Sequence, residues 1–313
     1  LDENGDSELK QEWQDILEIS KVLTLKSAIQ GRINDNQGVI CSVAELTDFC
    51  NKYLHMDIDG QLSNAKAGGI IAHGIALVQS GDLEGGIVKF NAAEEILLSN
   101  VLSTAEWCQD IALLSTNKGV VLGRMGRLDE ALECSETAIK HFKDIVYRHG
   151  LIHLMDNLAR MYLNHGAILD RLGQLERARE VYSQAVDIGE HLVFSEGRTH
   201  ETINLAGAYI NVSVNLALSG NYEEALESND RANVLFKKSL EISGEPIVKS
   251  YVALTCKNRA GYLGHLQRFD EAVQAMLRTD FRRVPVYHGS LDNIVGILYA
   301  KDLLGGWLNP VLR

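Results

Sequence analysis

The chain has 313 residues, of which 46% are hydrophobic and only three are prolines, and its formal net charge is −12. Abundant Ala, Leu, Glu and Gly with scarce proline favour an all-α protein. The negative charge argues against nucleic acid and anionic membranes as partners, because both require a basic surface. No apolar run reaches the length of a membrane-spanning segment.

Residues 1–64 come before any recognisable repeat. Helical periodicity is visible at 8–30 and 42–55, and a turn-rich stretch at 32–38 separates the two segments. We expect these residues to form a helical segment that caps a stacked array, because the end of such an array needs a polar face.

Residues 65–279 repeat five times, in steps of 45, 47, 47 and 47 residues. Each unit has a small residue inside its first helix, at Gly74, Gly119, Gly166, Ser213 and Ala260. Each then has a turn residue, at Gly81, Gly126, Gly173, Gly220 and Gln267. An apolar residue follows each turn, and we expect its side chain to pack as a plug between the helices; these residues are Leu83, Leu128, Leu175, Tyr222 and Phe269.

The spacing has a simple physical basis. Glycine ends a helix because it adopts the left-handed conformation at little cost. The small residues let two antiparallel helices approach closely, and a set of leucines is expected to fill the space between them, at Leu122, Leu169, Leu216 and Leu263. A single helix pair is too thin to bury its own apolar face, so neighbouring pairs must stack on it.

Asparagine recurs at one position of this pattern, at Asn117, Asn164, Asn211 and Asn258. An amide side chain has both a donor and an acceptor, so a row of amides can hold a peptide backbone with little regard for its side chains. Two alternatives remain open: the asparagines could be relics of duplication, or they could make hydrogen bonds between repeats. Asparagine inside a helix costs several tenths of a kcal/mol relative to alanine, which favours a role that offsets this cost.

These positions together resemble the tetratricopeptide repeat (TPR). The usual TPR period is about 34 residues, so about thirteen extra residues per unit are expected to lengthen both helices and their connector. Long units with an asparagine near the small residue are similar to the kinesin light chain type and to bacterial peptide-sensing repeats. In those families the asparagine contacts the backbone of an extended peptide on the concave surface. The resemblance implies an all-α, TPR-like superhelical solenoid of antiparallel helix pairs.

Helical spacing of three, four and seven residues from the asparagines selects the other members of this face. They include Arg124, Arg171 and His265, and Arg160 and Lys257 lie on the same side. We therefore predict an extended partner segment that carries an acidic or phosphorylated residue. Pairing of Arg124 and Arg171 with acidic residues of neighbouring helices is an equal alternative.

The C-terminal residues 280–313 depart from the helical pattern. Residues 284–287 alternate like a strand, 288–292 contain turn residues, and 294–298 form an apolar run, which predicts a short β-hairpin-like appendage. About 22 residues here resemble the hairpin of cystathionine-beta-synthase (CBS) domains in the hemolysin C and magnesium/cobalt efflux class. The resemblance implies ribose contacts from Gly296 and Asp302, although Tyr299 replaces the expected hydroxyl residue.

Signatures of catalysis are absent from the sequence: there is no phosphate loop, nucleophile elbow or metalloprotease motif. We expect no enzyme activity and no cofactor. His149 and His153 lie four residues apart, but no third ligand accompanies them, so no metal site is predicted. Five scattered cysteines are expected to be buried small residues of a cytoplasmic protein, at Cys41, Cys50, Cys108, Cys134 and Cys256.

The sequence thus predicts a protein-binding scaffold that captures an extended peptide through its asparagines. One alternative is a regulatory sensor that binds a short signalling peptide on the same face. The other is a nucleotide-responsive module built on the C-terminal hairpin. The identity of the partner does not follow from the sequence.

Overall fold

The computed structural model describes residues 3–33, 35–57, 59–99, 104–277, 283–287 and 294–299. These residues are almost entirely helical, as the sequence predicts, and end in a pair of strands. The helices are α1 (Glu3–Arg32), α2 (Asn36–Tyr53), α3 (Gln61–Gln79), α4 (Leu83–Ser99), α5 (Ala105–Arg124), α6 (Leu128–Lys143), α7 (Met155–Arg171), α8 (Leu175–Glu190), α9 (Thr202–Leu218), α10 (Tyr222–Ser243), α11 (Pro246–His265) and α12 (Phe269–Leu277). The strands are β1 (Arg283–Tyr287) and β2 (Ile294–Tyr299).

Helices α3 to α12 form the five predicted helix pairs, each joined by a tight turn. The turn glycines of the first four pairs have positive φ angles, at Gly81 (97°), Gly126 (80°), Gly173 (73°) and Gly220 (80°). In the fifth pair Gln267 takes the same left-handed conformation with φ of 59°. The repeat therefore keeps its turn geometry even where the glycine has been replaced.

Small residues bring paired helices close together, as expected. A Cβ atom added to Gly119 of α5 would lie 3.2 Å from Cys134 Cβ and 3.4 Å from the Ala131 carbonyl oxygen of α6. A Cβ on Gly74 of α3 would meet the Phe90 ring at 2.7 Å. The leucines predicted to fill the space between paired helices are buried, at Leu122, Leu169, Leu216 and Leu263.

The apolar residue after each turn is the first residue of the second helix in every pair. Four of these side chains are partly buried, but Phe269 is 63% exposed, so the prediction of a buried plug is wrong there. The equivalent Tyr222 stacks on His265 of the next first helix, with ring centroids 4.3 Å apart. The described residues after α12 are strands, which offer no such helix to Phe269.

The extra length of each unit lies in longer helices and in a distinctive connector. After α6 and α8 the chain continues as π-helical turns at Asp144–Arg148 and His191–Ser195. Short 3-10 turns follow at Ile152–Leu154 and Thr199–Glu201. Gly150 and Gly197 lie in these connectors, and Gly244 is the equivalent residue directly after α10; all three have φ near 65–69° and are spaced 47 residues apart. This second glycine series was not predicted from the sequence, although it has the same 47-residue period as the turn glycines.

The N-terminal residues form two helices, α1 and α2, that extend beyond the predicted segments. The turn between them is shorter than the predicted 32–38, because α1 continues to Arg32 and Asp35 caps α2 by accepting a hydrogen bond from the Gly38 amide at 2.9 Å. Ile16 of α1 packs with Leu46 and Cys50 of α2 and with Leu62 of α3. This cluster ties the N-terminal helices to the start of the repeats.

The chain divides into two compact units, Leu1–Ile168 and Leu169–Arg313, with the boundary inside α7. In the second unit, one core cluster includes Leu205 and Tyr209 of α9, Phe236 of α10 and Val248 of α11. The division into residues 1–64, 65–279 and 280–313 stays a prediction.

The strands β1 and β2 pair in antiparallel fashion, with Arg283 opposite Tyr299 and Val286 opposite Gly296. The register shifts between Val286 and Tyr287, which marks a bulge. Their positions agree with the predicted hairpin-like appendage.

Candidate functional site

The four asparagines lie at the middle of the first helices of four consecutive pairs, on α5, α7, α9 and α11. All four side chains are half-buried, so each lies at the surface. Asn117 and Asn164 belong to the first compact unit, and Asn211 and Asn258 belong to the second.

Within each unit the helices that carry the two asparagines are direct neighbours. In the first unit, the Thr116 hydroxyl of α5 donates to Met161 Sδ of α7 at 2.9 Å. In the second unit, Ser213 Oγ of α9 lies 3.3 Å from the Tyr262 hydroxyl oxygen of α11. Each unit therefore presents two of the asparagines from adjacent helices.

Most of the asparagine amides make no hydrogen bond to any residue that the structure describes. Asn117 Nδ2 donates to the Leu113 carbonyl of its own helix at 2.9 Å. Across the described ranges, the side chains of Asn164, Asn211 and Asn258 have no hydrogen-bond partner. The alternative that these amides bond one repeat to the next therefore finds no support in the described residues.

At three of the four positions the residue directly after the asparagine makes a polar contact to a neighbouring helix instead. Lys118 Nζ lies 2.6 Å from Glu94 of α4. His165 Nδ1 lies 2.7 Å from Ser135 Oγ of α6, and Arg259 pairs with Asp230 of α10. These positions are 47 or 94 residues apart, yet their side chains share no chemistry beyond polarity, so no single residue type marked them in the sequence.

Exposed apolar side chains lie beside three of the four asparagines, on the same helix faces. Leu113 is 47% and Val120 is 49% exposed beside Asn117. In the second unit Val214 and Leu218 follow Asn211 and are 38% and 58% exposed. Leu254 precedes Asn258 and is 38% exposed. Contiguous exposed apolar surface with polar groups among it is typical of protein interaction sites.

The predicted basic members of the face differ in their surroundings. Arg124 and Lys257 are exposed, and no ion pair to either is found in the part of the chain that the structure describes. Arg160 donates to Asn157 of its own helix, and Arg171 is exposed. His265 stacks on Tyr222 with an angle of 4° between the rings, so this imidazole serves the packing of a turn.

A second polar row, seven residues before the asparagines, was missed by the sequence analysis. It consists of Asp110, Asn157 and Asn204, with Tyr251 at the fourth position. Burial raises the pKa of Asp110 to about 6, and the neighbouring Glu106 adds to the shift. The same 47-residue period would have found the row, but its mixed chemistry gave a weaker signal than four identical residues.

Metal-ligand groups and disulfides are absent from the described residues. The described residues contain no group of three or more His, Cys, Asp or Glu side chains that could hold a metal ion. All five cysteines are free, and three are buried. Cys41 is exposed, which corrects the expectation of five buried thiols, because it lies on the outer side of α2 away from Val39 and Val43.

None of the described helices is both long enough and apolar enough to cross a bilayer.

Comparison with known proteins supports the repeat architecture. The family described as tetratricopeptide repeat matches residues 159–188, which cover much of α7 and α8. No curated protein matches the chain.

Among solved structures, BtubC (BKLC) from P. vanneervenii is 18% identical with a TM-score of 0.59, over 82% of this chain and 97% of that chain. The nearly identical TPR-like repeats of a Podosopora anserina protein assigned as a kinesin light chain are 16% identical with a TM-score of 0.49, over 67% of this chain and 91% of that chain. MamA from Desulfovibrio magneticus RS-1 is 16% identical with a TM-score of 0.43, over 68% of this chain and 96% of that chain. The likeness to BtubC shows that the chain has the fold of a TPR-like solenoid of antiparallel helix pairs.

Proposed function

We propose that this chain is a non-catalytic, protein-binding scaffold that holds an extended segment of its partner against the first helices of its repeats. The observation that carries the proposal is the set of half-exposed amides at Asn164, Asn211 and Asn258, which have no hydrogen-bond partner among the described residues. Buried polar atoms need hydrogen bonds, and amides left free among apolar neighbours are available to a ligand backbone.

The surroundings of the amides support an extended segment over a helical or folded one. An extended chain offers a donor and an acceptor at each residue, and it rises about 3.3 Å per residue. Packed helices lie about 8–10 Å apart, so two asparagines on adjacent helices would meet backbone groups about three residues apart. The exposed Leu113 and Val120, or Val214 and Leu218, would cover the apolar side chains between them.

The charge on this face favours an acidic residue in the partner segment. Arg124 and Lys257 are exposed without an ion pair in the described residues. A carboxylate or phosphate of the segment would form charge-assisted hydrogen bonds with them. With its net charge of −12 the chain is a poor match for nucleic acid or an anionic membrane, and the scaffold is proposed to be cytoplasmic.

The test is affinity capture from source lysate with quantitative mass spectrometry, followed by overlapping peptides of each captured protein. Two variants separate the units: Asn117→Ala/Asn164→Ala and Asn211→Ala/Asn258→Ala. The matched control is Asn91→Ala/Asn221→Ala, since both of those asparagines are exposed and lie off this face.

We expect at least one ladder variant to lose the partner and its peptide while the control keeps both. Circular dichroism must show equal folding in all proteins. Identical partner lists and peptide affinities in wild type and both ladder variants would contradict the proposal.

A regulatory sensor would use the same face, and peptide affinity distinguishes the two functions. Tight binding of a short free peptide, of about five to ten residues, favours the sensor. Dependence on a folded partner favours the scaffold.

The second candidate is a nucleotide-responsive module at the C-terminal strands. The antiparallel pairing of β1 and β2 is the observation that favours it, since the CBS-like resemblance implies such a hairpin. Gly296 lies in β2, whereas Asp302 lies outside the described residues. A rise in melting temperature with AMP or ATP at about millimolar concentration would support this function, and no shift would reject it.

A further inference from the structure

A cavity of about 420 Å³ lies in the second repeat, away from the asparagines. It is formed by α5, by the end of α6 and by the π-helical turn that follows α6. Its lining residues are Trp107, Cys108, Lys140, His141, Asp144, Arg148 and His149. Small-molecule sites commonly have volumes of about 300–1,000 Å³, so the space suits a small ligand.

The inner part of the cavity is apolar and aromatic. Trp107 is 8% exposed, and its Nε1 donates to the Leu97 carbonyl at 2.9 Å. The indole therefore has its polar atom satisfied and offers the cavity an apolar surface. The His141 ring packs edge-on against it, with centroids 5.3 Å apart and planes at 80°.

His141 leaves a polar atom without a partner at this point. Its Nδ1 is buried, and no hydrogen bond to it is found in the described ranges. A buried polar atom without a hydrogen bond is unfavourable for the folded state. Burial and the nearby Lys140 lower the pKa of His141, so the ring is neutral near pH 7 and one nitrogen can donate to a bound group.

The mouth of the cavity is basic in an otherwise acidic chain. Lys140, Arg148 and His149 are all exposed there. Asp144 Oδ1 lies 3.5 Å from Arg148 Nε and offsets that charge, which leaves Lys140 as the surplus positive charge among the lining residues. An anion would therefore be attracted to this opening.

The third repeat shows that the basic residues are not part of the repeat framework. Counting 47 residues onward from Lys140, His141, Arg148 and His149 leads to Asp187, Ile188, Ser195 and Glu196. The same α8 helix and π-helical turn form with those residues, so the fold does not require the basic set. The cavity residues are thus free to serve a ligand.

We propose that this cavity binds a small organic anion whose apolar body lies on the Trp107 indole. Its carboxylate or phosphate group contacts Lys140 and Arg148, and the His141 ring lines the wall beside the indole. The proposal is independent of the peptide-binding face, because none of these residues lies on it.

The test follows the indole N–H signal of Trp107 in ¹H–¹⁵N spectra of the full chain during ligand titration. Benzoate and phenyl phosphate are the two anionic probes, and benzyl alcohol is the neutral probe with the same ring. The chain has three tryptophans, so Trp13→Phe and Trp307→Phe variants assign the signal.

A rim variant replaces the basic side chains by their third-repeat counterparts: Lys140→Asp/Arg148→Ser/His149→Glu. All three residues are exposed, so the fold is expected to survive. The matched control makes the same changes on other exposed residues: Lys238→Asp/Arg177→Ser/His200→Glu.

We expect benzoate or phenyl phosphate to bind saturably to the wild type and to the control. The affinity of the rim variant for these anions should be at least about tenfold lower. The affinity of the wild type for benzyl alcohol should be lower by a similar factor. The better of the two anions shows whether the site prefers carboxylate or phosphate. Equal binding of benzyl alcohol, equal binding by the rim variant, or no saturable shift up to about 10 mM probe would each overturn the proposal.

Discussion

Gln267 occupies a backbone position that glycine fills in the four preceding turns. Its φ of 59° lies in the left-handed region, which costs a residue with a Cβ about 1–2 kcal/mol. The side chain is exposed and makes no hydrogen bond to the described residues. The substitution Gln267→Gly should therefore stabilise the chain by about 0.5–1 kcal/mol, after the greater freedom of glycine in the unfolded state is subtracted.

Urea denaturation followed by circular dichroism measures this change. Gly220→Gln is the matched control, because it places glutamine at the same position of the fourth repeat, and it should destabilise the chain. A loss of stability in Gln267→Gly would show that its side chain has a partner that offsets the strain.

Asp110 carries a stability cost that depends on pH. Its pKa is about 6 in the folded chain, above the usual value for an aspartate, because burial disfavours the charged form. The folded state therefore binds a proton more tightly than the unfolded state does. Stability is gained as pH falls from about 6 to about 4, and the cost is fully present above pH 6.

The substitution Asp110→Asn should remove this cost, since asparagine already occupies the equivalent positions 157 and 204. We expect stabilisation of roughly 2 kcal/mol at pH 7.5 and almost none at pH 4. Urea denaturation at the two pH values checks this, with the exposed Asp187→Asn as the control. An equal effect at both pH values would contradict the explanation by charge burial.

At the scale of the helix pair, close approach depends on glycine only where the facing helix is near. A Cβ on Gly119 would press on Cys134 Cβ at 3.2 Å, whereas a Cβ on Gly261 would meet nothing within 4 Å. Gly119→Ala should therefore destabilise by about 1–2 kcal/mol. Gly261→Ala should stabilise by about 0.5–1 kcal/mol, because alanine is the better helix former.

Both glycines lie inside first helices of their pairs, so each serves as the other's control in thermal unfolding. The opposite signs are the essential result. Stabilisation by both alanines would mean that α5 and α6 separate easily enough to admit a methyl group.

The helix pairs could be predicted because small residues, turn glycines and leucines each recur at one fixed place. The π-helical turns at Asp144–Arg148 and His191–Ser195 could not, since a change of hydrogen-bonding partner along a helix leaves no mark in residue type. The asparagine face was predicted as a set, and the structure places each pair on adjacent helices. The burial of Asp110 and the stacking of His265 depend on neighbouring helices, so the local sequence held no sign of them.

At the scale of the whole molecule, the two compact units should unfold with separate responses to mutation. Repeat arrays gain their stability from each repeat and its nearest neighbours, so a local defect acts locally. Asn215 is fully buried in the second unit, and its Nδ2 donates to Asp170 Oδ1 at 2.6 Å and to the Leu175 carbonyl at 3.0 Å. Asn215→Ala should cost about 1–3 kcal/mol there, because it leaves those acceptors unsatisfied.

Hydrogen exchange with mass spectrometry separates the two responses. Asn215→Ala should speed exchange in peptides from α8 and α9, and Gly119→Ala should do so in α5 and α6. In the double variant the two effects should add, since the sites share no partner. Uniform acceleration of every peptide by either substitution would indicate that the chain unfolds as one cooperative block.

The left-handed glycines of the connectors, Gly150, Gly197 and Gly244, divide the chain into interchangeable modules. Each module begins after one such glycine and ends at the next, so these three joints have the same backbone handedness. A chain in which residue 198 directly follows Gly150 would lose one full module and keep all remaining joints. Copy number can therefore change in steps of 47 residues, whereas a shorter insertion or deletion would require a joint of a new kind.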